Sequence, residues 1–151
     1  MTVRRSTLAR GTLTRWACAT LEVATRGRGL VEITGEVAAF VAESGLTAGL
    51  ATVFCRHTSA SLTIQENADP DVRTDLVTAL DRLAPEDAGW VHHSEGPDDM
   101  PAHVKAMLSG VSLGIPIREG RLALGTWQGV YLIEHRARPH RREVVLQAIG
   151  A

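Results

Sequence analysis

Leu113-Gly-Ile-Pro-Ile117, Arg121-Leu-Ala-Leu-Gly-Thr126, Gly129-Val-Tyr-Leu-Ile-Glu-His-Arg136 and Glu143-Val-Val-Leu-Gln-Ala-Ile149 follow one another with no helical segment between them. The four runs are short and carry most of their weight in Val, Ile and Leu, with Gly, Pro or charged residues in the gaps, so they predict strands. Upstream, Leu50 to Arg56 predicts another strand. Residues 7–24 predict one or two more, the second rich in Thr, Leu and Val over Ala19–Thr25, before a turn at Gly27-Arg28-Gly29.

Three helices are expected between these strands. Val37, Ala38, Val41 and Ala42 recur at helical spacing within Thr34–Ser44, and Gly45 supplies the stop. Asp69-Pro-Asp71 gives a second helix an N-cap, a first-turn proline and an acid near the dipole; Val72, Leu76, Leu80 and Leu83 form its stripe and Pro85 ends it. Asp98-Asp-Met-Pro101 opens a third helix that runs to Ser109. Strands outnumber helices and do not alternate strictly with them, so an α+β, β-rich sandwich is expected rather than a parallel βαβ fold.

Bulk composition fits one domain over residues 1–151: 44% of the residues are apolar and 22% charged. A formal net charge of −1, from 16 basic and 17 acidic residues, argues against nucleic-acid or membrane partners. Basic charge is nevertheless concentrated at Arg136, Arg138, Arg141 and Arg142, a patch sized for one phosphate-bearing small molecule. Cys18 and Cys55 form no CxxC motif and are expected to be reduced and mostly buried. The first ten residues are charged with no apolar stretch behind them, which does not resemble a secretory signal, and no run reaches the roughly 20 apolar residues of a membrane span. A cytoplasmic location is the expectation.

His57 closes a strand and opens Thr58-Ser-Ala-Ser61, while His92 and His103 flank the tight loop Glu95-Gly-Pro-Asp-Asp-Met-Pro101. Three neutral imidazoles could share a metal with one position open, or be three unrelated residues satisfied locally. Asp98 and Asp99 have two readings as well, as a helix N-terminus or as a metal ligand or general base. Alternation puts Cys55 on the face of His57, but a small core thiol is preferred to a nucleophile there. Gly125-Thr-Trp-Gln-Gly129 is either a pocket-lining close approach or a turn that contains a tryptophan. Glu134 and Arg136 share a strand face and either pair or point together into a site with the arginines that follow.

The segments Arg56-His-Thr-Ser-Ala-Ser-Leu-Thr-Ile-Gln-Glu-Asn-Ala-Asp-Pro-Asp-Val-Arg73, Glu95-Gly-Pro-Asp-Asp-Met-Pro-Ala-His103 and Gly125–Gly129 resemble the YjbQ family, an uncharacterised-protein family also labelled secondary thiamine-phosphate synthase. The resemblance implies a sandwich-like homotrimer with a metal site at His57, His92 and His103, zinc being the first choice and another divalent transition metal the alternative. His93 is a bystander on this view. The implied catalytic residues are Glu66, Asn67, Asp98, Asp99 and Glu134. Substrate or phosphate would meet Thr58, Ser59, Thr126, Trp127, Gln128, Arg136 and Arg141. The implied activity joins hydroxymethylpyrimidine diphosphate to thiazole phosphate and releases pyrophosphate. A metal-dependent hydrolase and a non-catalytic trimeric binding protein are the alternatives.

Overall fold

The structure is a computed structural model and describes residues 3, 4 and 8–151. The expectations for residues 1, 2 and 5–7, including parts of the leader reading and the first residue of the 7–24 strand region, lie outside the described residues. Among the described residues, eight strands and three helices run in the order β1 (Arg15–Ala24), β2 (Gly29–Glu32), α1 (Thr34–Ser44), β3 (Ala48–Cys55), β4 (Ala60–Glu66), α2 (Pro70–Leu83), α3 (Asp99–Ser109), β5 (Ser112–Arg118), β6 (Arg121–Leu122), β7 (Gln128–Glu134) and β8 (Arg141–Gly150).

Two antiparallel sheets result, one in the order β1-β8-β3-β5-β6 and the other β2-β7-β4. Between them lies the core. Val53, Ile115, Val144 and Leu146 from the larger sheet meet Leu62, Val130 and Leu132 from the smaller, with Ile33 and Val37 in the same cluster. The fold is therefore the expected α+β sandwich. In β8, Arg142, Val144, Leu146 and Ala148 are buried while the residues between them are exposed or half-buried, the period of two that a one-sided sheet requires. Strand β7 is different: every residue from Gly129 to Glu134 is buried. Its second face is covered by α2 and α3, which pack against β2 and β4.

The helix punctuation acts as expected. Gly45 caps α1 in the left-handed conformation (φ 67°), which costs glycine little. The Asp69 carboxylate accepts the Asp71 N–H at 2.9 Å with Pro70 in the first turn of α2. Of the apolar stripe expected on α2, Val72, Leu76 and Leu80 are half-buried, while Leu83, the last residue of the helix, is 67% exposed. The strand expected over 121–126 ends at Leu122, and β2 and β4 emerge where no strand was expected. Cys55 is buried as anticipated, but Cys18 is exposed on the outer face of β1, so the expectation for the two thiols holds for one. No described helix is long and apolar enough to cross a membrane.

Candidate metal centre

Asp99 and His103 lie four residues apart on α3, hence on one face of the helix. The preceding loop brings His92 to the same point, with the two imidazole rings 5.6 Å apart between centroids. One ligand atom from each of His92, Asp99 and His103 lies within 4.8 Å of the others. Asp99 is the hub. Its Oδ2 receives the His92 Nε2 at 2.7 Å and faces the His103 Nε2 at 3.3 Å. Its Oδ1 accepts from the Arg136 guanidinium.

Arg136 holds more than this one carboxylate. Its Nε donates to Asp98 Oδ2 at 3.2 Å and its Nη2 to the Glu95 carbonyl at 2.7 Å. Asp98 also accepts the Ala137 N–H at 2.8 Å, so it ties the loop after β7 to the start of α3 and makes no side-chain cap to the helix. Burial works to raise the pKa of Asp99. The His92 hydrogen bond and the charges of Arg136, His103 and His92 outweigh burial and hold the carboxyl below its ordinary value. Asp98 is likewise held down, its burial offset by the Ala137 N–H and Arg136.

His103 shows the most chemically informative contact. Its Nδ1 lies 2.9 Å from the Thr58 carbonyl oxygen. A carbonyl oxygen only accepts, so this nitrogen carries a hydrogen. In the neutral ring the lone pair is then on Nε2, which faces the Asp99 carboxylate.

His57 lies outside this group. Its Nε2 accepts the Glu143 N–H at 2.8 Å, and burial first, then the Arg142 charge, lowers its pKa. It does share a cleft wall with Thr58 and His103. Of the expected histidine trio, the structure brings His92 and His103 together, joined by Asp99, and sets His57 apart, because a helix places Asp99 beside His103 while the β3 end fixes His57 against β8. The sequence signal that could have found the group is the Asp99-x-x-x-His103 spacing on a helix.

The remaining residues implied by resemblance divide between the two ends of the smaller sheet. Ala60 pairs with Glu134 at one end, and Glu66 pairs with Gln128 at the other. Six strand residues at about 3.3 Å each separate these ends by roughly 20 Å. Glu66, Asn67, Thr126, Trp127 and Gln128 are therefore not brought to the histidines within one chain. Gly125 to Gln128 form a turn instead, beside the end of β4: Gln128 N–H donates to the Gly125 carbonyl at 3.0 Å, Asn67 N–H donates to the Trp127 carbonyl at 3.0 Å, and Trp127 is 64% exposed. The close approach read from glycine is real at Gly129, where a Cβ would stand 2.9 Å from Glu32 Oε1 and 3.0 Å from the Tyr131 ring.

Glu134 and the arginines also depart from expectation. Glu134 is 1% exposed and accepts from Arg142 Nε at 2.7 Å, Thr25 Oγ1 at 2.8 Å and the Arg136 N–H at 3.0 Å. It bridges the sheets as a buried ion pair rather than facing a substrate. Ser59 belongs to this network, accepting from Arg142 Nη2 at 3.1 Å. Arg136 is turned inward onto Asp98 and Asp99, and Arg141 points outward to Glu22 at 2.7 Å. The alternation of β8 turns neighbouring Arg141 and Arg142 to opposite sides, Arg141 outward and Arg142 inward onto Glu134. Residues not anticipated are Lys105, buried and paired with Asp81, and His135, whose Nε2 lies 2.8 Å from Ser61 Oγ.

The model of the family described as UPF0047 protein YjbQ-like matches residues 19–151. A UPF0047 protein of Synechocystis is 56% identical over 131 residues, covering 86% of this chain and 89% of its own. The UPF0047 protein YjbQ of Salmonella typhimurium is 43% identical, covering 89% and 99%. Among solved structures, an uncharacterised yjbq/upf0047 family protein of Clostridium acetobutylicum superimposes with a TM-score of 0.79 at 42% identity, over 85% of this chain and 97% of that one. A conserved hypothetical protein of Thermus thermophilus gives 0.74 at 42% identity, over 84% and 97%.

Proposed function

We propose, for a chain that belongs to the UPF0047 YjbQ-like family, that His92, Asp99 and His103 hold one divalent transition-metal ion and that the protein is a metal-dependent hydrolase. One observation carries the metal reading. With a hydrogen on the Thr58 side, the His103 ring turns its other nitrogen, Nε2, toward a carboxylate oxygen 3.3 Å away, so an unprotonated Nε2 would set two acceptors face to face. Such a pair of acceptors is stable only with a cation between them, either a proton or a metal. The donor set of two imidazoles and one carboxylate with further positions open is that of hydrolytic zinc, and it also serves iron(II). A divalent ion in such a site supplies Lewis acidity and brings the pKa of a held water toward neutrality.

The chain's own groups prepare the site. Arg136 keeps Asp99 ionised and oriented, and the Thr58 carbonyl fixes the His103 tautomer, the outer hydrogen bonds that ligands of this kind need. Thiamine-phosphate synthesis would ask for cationic groups around a leaving pyrophosphate. Arg136 and Arg142 are instead committed to buried carboxylates, and Arg141 to Glu22 on the outer face. Hydrolysis makes no such demand, and this favours it.

Zinc titration of metal-stripped protein tests the site. His92→Ala and His103→Ala should each weaken binding at least about 100-fold, the upper end of what loss of a supporting residue alone costs. His57→Ala should leave affinity within about threefold of the parent on the same scale. Undiminished metal in the His92→Ala/His103→Ala variant, or loss of metal in His57→Ala, overturns this ligand set. Metal-loaded protein that cleaves no ester, amide or phosphate model substrate overturns the hydrolase.

The homotrimer is also proposed, on a surface observation. Trp16, Ile149, Leu50 and Pro116 stand in one registered row across β1, β8, β3 and β5 on the outward face of the larger sheet. Trp16 is 73% exposed and Leu50 41%. Apolar side chains in such rows favour cover by further copies of the chain. Trp16→Asp with Leu50→Asp should convert the trimer to monomer in light scattering. A trimer that survives both changes assembles through another surface.

A further inference from the structure

A cleft of about 770 Å³ runs between the end of β3 and α3, beside the candidate metal centre. This is the size of small-molecule sites. Phe54, Cys55, Ala106, Met107 and Val111 make its wall largely apolar. Burial, the foremost influence on Cys55, pushes its thiol pKa up, so this part of the wall is neutral. Among the described residues, the guanidinium on the cleft is that of Arg56, which is exposed and paired with Glu143 at 2.9 Å. Apart from Arg56, the polar side chains of the lining are His57, Thr58 and His103, which lie together: Thr58 follows His57 and its carbonyl oxygen is 2.9 Å from His103 Nδ1. His103 belongs to both places: its ring lines the cleft, and its Nε2 faces Asp99.

We infer that the cleft takes the apolar body of the substrate, and that the substrate class is esters or amides of medium-length aliphatic or aromatic acids, with the scissile group at the His103 end. This rests on the metal-hydrolase reading above. In the reaction a water oxygen bonds to the acyl carbon, the bond from that carbon to the alcohol or amine breaks, and a proton from the water leaves with the alcohol or amine. No oxidant or second substrate is needed. His57 contributes to the polar end as a donor only, because its Nε2 already accepts the Glu143 N–H and its neutral ring then carries hydrogen on Nδ1. An apolar wall with one polar end discriminates by chain length, since each buried methylene adds about a fourfold factor in affinity. The unbranched Met107, 76% exposed at the cleft, is the wall residue able to adjust to different bodies.

The test uses zinc-loaded full-length protein and p-nitrophenyl esters from acetate to decanoate. The expected result is kcat/KM that climbs roughly threefold to fourfold per methylene until the cleft is filled. Met107→Asp, a change at an exposed position that the fold tolerates, should collapse the octanoate-to-acetate ratio by about tenfold or more. In parallel, displacement of anilinonaphthalene sulfonate by straight-chain alcohols from metal-stripped protein reports the cleft without the metal. Chain-length-dependent displacement without ester hydrolysis supports the cleft and sinks the hydrolase. Hydrolysis with a flat chain-length profile sinks the cleft assignment and leaves the hydrolase standing. A Met107→Asp variant that turns an oligomer into monomer, from a parent that binds no alcohol, makes the cleft a subunit contact and overturns the inference.

Discussion

Glu134→Ala is expected to lower the unfolding free energy by about 3–5 kcal/mol, the cost of leaving one member of a buried ion pair alone. Arg142 is 4% exposed, and its guanidinium spends both Nε and Nη2 on Glu134, with Ser59 as its remaining partner. The pair crosses from β7 to β8 at one end of the sandwich, where Thr25 also donates to the carboxylate. Arg142 holds the Glu134 pKa down against the burial that would raise it. Replacing both partners by apolar residues of similar volume, Glu134→Leu with Arg142→Met, should cost far less than the single change. Urea denaturation of the three variants makes the comparison. A loss below about 1 kcal/mol in Glu134→Ala would mean that Ser59 and water satisfy Arg142 and that the pair matters little to stability. The same variant should also weaken metal binding, because Glu134 accepts the Arg136 N–H at 3.0 Å and so helps aim the guanidinium that holds Asp99.

Acid should destabilise the fold well before ordinary carboxylates titrate. Burial, then the Lys105 charge, lowers the His135 pKa to about 4 from 6.5, against the opposing pull of Glu134. The folded-state pKa is the lower one, so the unfolded chain takes up the proton first. The stability linked to His135 is therefore complete above pH 6.5, is lost as pH falls toward 4, and changes no further below that. At 1.36 kcal/mol per pKa unit the span amounts to about 3 kcal/mol. Ser61, Lys105 with its partner Asp81, Glu134 and Arg142 surround the ring, and none offers a second carboxylate free to stabilise an imidazolium. Asp98, Asp99 and Glu134, whose pKa values are held low, contribute in the same direction at still lower pH. Denaturation between pH 7 and 4 should show the decline, and His135→Gln should flatten its upper part. Equal slopes in parent and variant would remove His135 as the cause.

Local rules were sufficient for the helices. Asp69-Pro70 and Gly45 act through a few neighbouring backbone groups, so their effect is written in adjacent residues, whereas the Asp98 and Asp99 side chains serve distant partners instead of capping α3. The same holds for β3, β5, β7 and β8, short apolar runs set off by glycine, proline or charged residues. Strand β4 was less legible because Ser61 and Thr63 resemble solvent-facing residues, whereas the helices beyond the smaller sheet cover that face. Strand β2, four residues beginning at a glycine, has too little pattern to read.

Sequence by itself determined the α+β class, the three helices and the residue types of the site: His92, Asp98, Asp99, His103 and the arginines were all singled out by kind and position. Which of them act together was decided by tertiary structure alone. Two imidazoles and a carboxylate meet because a loop returns His92 to a helix face, while Arg136 and Arg142 are drawn into the protein by partners 37 and 8 residues away along the chain. Burying a guanidinium is unfavourable without such partners, and a carboxylate that far away becomes a neighbour only when both sheets have formed. Coordination and charge pairing depend on distances of a few ångströms, and along a chain only the closest neighbours fix such distances.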